Sequence, residues 1–78
     1  MVQAENLVKG QRLKVNLETV RDRLPKKILE ELIEEPYGKL IGYKMVDGNQ
    51  FGLVLKFKSG STSWFFESEL IEIIEESN

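Results

Sequence analysis

The residues able to do chemistry in this chain are almost all carboxylates and cationic groups. Glutamates come in close pairs: Glu30/Glu31, Glu34/Glu35, Glu67/Glu69 and Glu75/Glu76. Two carboxylates can divide general acid from general base work only where a pocket drives their pKa values apart. A chain of 78 residues whose acids pattern outward offers no such pocket, so these pairs read as a solvated acidic surface. There is no histidine, which removes the commonest general base and metal ligand, and no cysteine, which removes thiolate metal sites and disulfides. GNQFG, residues 48–52, has two glycines but no lysine or helix behind it, and reads as a turn rather than a phosphate loop. The expectation is no catalytic residue, no cofactor and no metal.

Two further groups suit recognition better than catalysis. Arg21, Arg23, Lys26 and Lys27 form a basic stripe, with Asp22 placed between the arginines to fix their geometry. Small barrels bind nucleic acid with such charges and with strand-face aromatics. A net charge of −2 opposes that use, because affinity for a phosphate backbone rests on positive charge. The same stripe suits docking on an acidic protein surface. Charge is also split along the chain: residues 1–29 carry seven basic and three acidic groups, whereas residues 59–78 carry five glutamates and no basic group. That asymmetry favours electrostatic partner docking. The second group is the aromatic run in SWFFESEL, Ser63 to Leu70. Strand neighbours point to opposite faces, so Trp64 and Phe66 share one side and Phe65 takes the other. A small barrel has one interior. Phe65 is expected inside, leaving Trp64 and Phe66 to be covered by a helix, a terminus or a partner, the last being how interface anchors are placed.

The elements that must position these residues are legible in the pattern. Residues 1–9 show no period and read as a loose lead-in to a single domain spanning 1–78. Leu13, Val15 and Leu17 alternate with Arg12, Lys14 and Asn16, the period of a strand with one wet face. Ile28, Leu29, Leu32 and Ile33 then mark one face of a short helix, opened by Pro25 and stopped by Pro36. KLIGYKMV sets Ile41, Tyr43 and Met45 on one face, and Asp47-Gly48-Asn49 signals a hairpin into FGLVLKFK, where Phe51, Leu53, Leu55 and Phe57 alternate with polar or small residues. A second turn at Ser59-Gly60-Ser61 leads into STSWFF, and ESEL turns into a last strand, LIEII. The predicted fold is mainly β: a small SH3-like five-stranded antiparallel barrel with one short helix in its long first connection. The apolar runs fall far short of the ~20 residues that cross a bilayer, and the start does not resemble a signal peptide.

Taken together, GQRLKV, VRDRL, GYKMVDG and SWFFESEL resemble the PetP family, small peripheral subunits of the cytochrome b6f complex, over about residues 10–70. The resemblance implies an SH3-like barrel, attachment to the complex at the cytoplasmic or stromal face of the thylakoid, no cofactor, and a supporting role in linear electron transport. Membrane association would come only through the complex, and the isolated protein would be a monomer. Docking would use Arg21, Arg23, Lys26 and Lys27 with Trp64 and Phe66 as apolar anchors. The competing readings are a module that docks a soluble carrier such as ferredoxin at another photosynthetic complex, and a small nucleic-acid-binding barrel. The aromatic pairs of a proline-peptide groove are not evident.

Overall fold

The computed structural model describes residues 2–48 and 50–73. The alternation at Leu13 and Val15 produces β1 (Arg12–Val15), with both apolar side chains buried and Arg12 and Lys14 outward. Leu17 does not prolong it. Asn16 stops the strand: its Oδ1 accepts the Glu18 N–H at 3.2 Å, capping a short helix α1 (Leu17–Val20). The first connection therefore holds two helices where one was expected, the second being α2 (Lys26–Glu34) directly after Pro25. Leu32 is fully buried and Ile28 and Leu29 pack partly on the core, but Ile33 is 68 % exposed, so the docked stripe is narrower than the sequence suggested.

Four strands follow: β2 (Tyr37–Asp47), β3 (Gln50–Lys56), β4 (Thr62–Phe65) and β5 (Leu70–Glu72). All pairings are antiparallel in one sheet of order β4-β3-β2-β1-β5. The mainly β architecture agrees with the sequence, and the term barrel needs correcting. β4 and β5 lie at the two edges of an open sheet, although Phe65 of β4 and Leu70 of β5 join the same core. A 3-10 turn (Glu67–Glu69) links those edge strands. Of the expected last strand, Ile74 lies outside the described residues, as do Asn49 of the hairpin signal and the Glu75/Glu76 pair.

Residues 1–9 are not a loose lead-in in the part described. Val2 and Leu7 are 2 % and 8 % exposed within the core, flanking a 3-10 turn (Ala4–Asn6). The Val2 N–H donates to the Glu67 carbonyl at 3.4 Å and the Ala4 N–H to the Glu67 carboxylate. Isolated apolar residues five apart carry no period, which is why they did not read as core.

The β2–β3 hairpin sets the geometry of both surfaces discussed below. Leu40 pairs with Leu55 but Gly42 with Val54, so Ile41 is an extra residue in β2, a β-bulge that resets which side chains face inward. Leu40 is buried, and Tyr43 and Met45, paired with Leu53 and Phe51, lie on the core side of the sheet. They are nonetheless exposed, because the hairpin runs on past the core; Phe51, which shares a face with the buried Leu53, Leu55 and Phe57, is 55 % exposed for the same reason. The hairpin turns through Gly48 at φ +53°, as the Asp-Gly signal required. Nearer the core, Gly38 lies opposite Leu13, and a Cβ there would sit 2.9 Å from both Leu55 Cβ and Phe57 Cε1. Gly38→Ala is therefore expected to destabilise by about 1–3 kcal/mol through overpacking, read as a lower urea midpoint with unchanged m-value.

Candidate docking surface

Of the residues singled out in the sequence, Arg23, Trp64 and Phe66 come together at one corner of the fold. Arg23 lies in the turn between α1 and α2, and its guanidinium forks onto Glu69: Nε donates to Oε2 at 2.9 Å and Nη2 donates to Oε1. Nη2 also donates to the Trp64 carbonyl at 3.1 Å. Glu69 is only 6 % exposed, and its Oε1 accepts the Phe66 N–H at 2.9 Å, so one carboxylate serves both the arginine and the cap of the 3-10 turn. Glu69, 46 residues away in sequence, is the group that holds Arg23, a role the sequence had assigned to the neighbouring Asp22.

The aromatic run divides as strand geometry demands. Phe65 is fully buried and meets Phe57 edge-on, with ring centroids 6.1 Å apart. Trp64 and Phe66 contact each other edge-on at 5.0 Å on the other side, and both are half-buried. The Arg23 guanidinium lies 4.4 Å from the Trp64 ring centroid, a cation–π geometry. Underneath, the indole rests on the backbone of Gly52, where a Cβ would stand 2.9 Å from Trp64 Cε3. The pair is thus partly covered from within, by Arg23 and the sheet, and partly open. Arg21, Lys26 and Lys27 are exposed. Arg23, by contrast, has its hydrogen bonds committed inside the molecule, so it positions this corner.

A second surface was missed. Tyr43, Met45 and Phe51, at 45 %, 58 % and 55 % exposure, form an aromatic and methionine patch on the core side of the projecting hairpin. Ala4, Glu5 and Leu7 complete a shallow pocket of about 500 Å³ with Tyr43 and Phe51, and the Tyr43 hydroxyl donates to the Ala4 carbonyl at 3.3 Å. The signal was present: apolar alternation continues on both strands up to the Asp-Gly turn. What alternation cannot reveal is where the core beneath a hairpin ends.

Among the described residues no cluster of His, Cys, Asp or Glu could hold a metal ion, and no helix is long and apolar enough to cross a membrane. The arrangement offers contact chemistry: an apolar patch, a half-open aromatic pair and the exposed cations Arg21, Lys26 and Lys27. A family model described as cytochrome b6f, subunit Tsr0524-like, matches residues 9–71. No curated protein and no solved structure matches the chain.

Proposed function

Because the chain belongs to the Tsr0524-like family of cytochrome b6f subunits, the PetP family, we propose that it is a non-enzymatic peripheral subunit that regulates or stabilises that complex by docking on its cytoplasmic or stromal face. The observation that carries the docking reading is the patch of Tyr43, Met45 and Phe51. Exposed apolar clusters on small monomers mark interaction sites, and aromatic residues with methionine are the types enriched in interface cores. Exposed Arg21, Lys26 and Lys27 supply charge and the open edges of Trp64 and Phe66 a second apolar contact, while Arg23 keeps the aromatic pair in place. Rim charges of this kind accelerate and orient docking, whereas the buried apolar centre holds the complex together.

Affinity capture from detergent-solubilised thylakoids tests this. The wild-type chain should recover cytochrome b6f subunits, and Tyr43→Ser plus Phe51→Ser should cut recovery at least tenfold at any ionic strength. Arg21→Glu with Lys26→Glu and Lys27→Glu should weaken capture mainly at low salt, as expected of screened surface charge. Wild-type protein that recovers no subunit of the complex would sink the proposal.

A further inference from the structure

The outer face of the sheet carries a cationic row that the strand register creates. Arg12 of β1 lies directly opposite Lys39 of β2, which lies directly opposite Lys56 of β3. Lys14 and Lys44 stand on the same face, and all five side chains are exposed. Two interstrand spacings put the three aligned cations across roughly 10 Å. Like charges directly opposite on adjacent strands are destabilising. Among the described residues, Glu35 pairs with Arg12 at 3.8 Å and shares a surface pocket with Lys39 and Lys56 without an ion pair to either. Lys39 and Lys56 are in no described ion pair. A row that weakens the sheet invites an anionic ligand that repays the repulsion.

We propose that this face seats on anionic lipid headgroups of the bilayer, in direct contact with lipid and independently of any protein partner. Three observations favour headgroups over an acidic protein. Four of the five cations are lysines, hydrated point charges suited to a diffuse anionic layer, whereas protein carboxylates are better met by arginine forks. Lysine is also depleted in protein interfaces. Two amphipathic aromatics of the kind that sit at headgroup level share this face: Tyr37, half-buried beneath Arg12 with the guanidinium 4.2 Å from its ring centroid, and Trp64, opposite Val54. The proposal takes from the family reading only that the protein works beside a membrane. The overall charge of −2 is a property of the whole chain, whereas the field a headgroup meets at the sheet is local, set by five cations against the nearby Glu35.

The test uses the full chain with protein-free vesicles, so its failure cannot be confused with failure to bind the complex. At low salt the protein should sediment with vesicles of equimolar phosphatidylglycerol and phosphatidylcholine and not with pure phosphatidylcholine. Lys39→Gln plus Lys56→Gln should weaken that binding about 30-fold, at the usual contribution of a lysine near an anionic surface. The same variant should show a higher urea midpoint, since it relieves the row. Lys26→Gln plus Lys27→Gln, which removes equal charge from the other corner, should bind vesicles nearly as wild type does. Equal binding to both vesicle types, an equal loss in the Lys26 and Lys27 variant, or a lowered midpoint for Lys39→Gln plus Lys56→Gln would overturn the proposal. Displacement of the protein from vesicles by equivalent single-stranded DNA would overturn it in favour of a nucleic acid ligand.

Discussion

Arg23→Ala should lower the unfolding free energy by about 3 kcal/mol, measured by urea denaturation, which is the typical penalty for stranding a buried carboxylate. The arginine side chain keeps 29 % of its accessible surface, which argues against a larger loss, but its partner keeps only 8 %. With Arg23 gone, the Glu69 carboxylate retains the Phe66 N–H and loses the two donors that neutralise it. The Trp64 carbonyl loses a donor as well, and the indole loses the guanidinium packed on it. For 78 residues a total stability of roughly 4–12 kcal/mol is expected, so the loss is a large share of what holds the domain together. Arg23→Lys should recover only part of it, since a single ammonium cannot reproduce a fork onto both carboxylate oxygens and reach the Trp64 carbonyl. The decisive comparison is Arg23→Ala with Glu69→Gln. Glutamine removes the stranded charge while its carbonyl can still accept from Phe66, so the double variant should be more stable than Arg23→Ala alone. A double variant that is less stable would mean that the pair's value lies in attraction rather than in neutralising a buried group.

That clamp also shows where reading the sequence stops. The alternation of Leu53, Leu55 and Phe57, the turn glycines and the proline-bounded helix are local patterns set by backbone geometry, and they transfer directly to the fold. The pairing of Arg23 with Glu69 spans 46 residues and depends on how α1, α2 and the 3-10 turn meet, which no periodicity encodes. The bulge at Ile41 is similar: alternation groups Ile41 with Tyr43 and Met45 on one face, and only the register with β3 decides that Leu40 fills the core while Ile41 is the extra residue. Both candidate surfaces inherit this limit. Arg12 and Lys56 each read as wet strand positions, but their alignment with Lys39 into a row is a property of pairing. Alternation assigns Tyr43 and Phe51 a face and says nothing of whether that face is covered.

Phe65→Ala should remove 3–5 kcal/mol, enough to leave much of the protein unfolded at ambient temperature, whereas Trp64→Ala next to it should cost only about 1–2 kcal/mol and stay folded. The difference follows from one peptide step. Phe65 is fully buried and meets Phe57 edge-on, so truncation leaves a cavity that the rigid strand pairs Leu53–Phe65 and Leu55–Ser63 cannot close. Trp64 is half-exposed and lies on a glycine, so its loss removes part of an apolar contact and the cation–π stack with Arg23 and opens no interior space. Thermal unfolding followed by far-ultraviolet circular dichroism would read both. If Trp64→Ala proves as costly as Phe65→Ala, the indole is a structural keystone and cannot serve as a docking anchor whose removal leaves the fold intact. If it is mild, the folded Trp64→Ala protein isolates the open aromatic edge from the core beneath it. Its recovery of cytochrome b6f subunits, set beside that of Tyr43→Ser plus Phe51→Ser, then ranks the two apolar surfaces with the Trp64→Ala protein still folded.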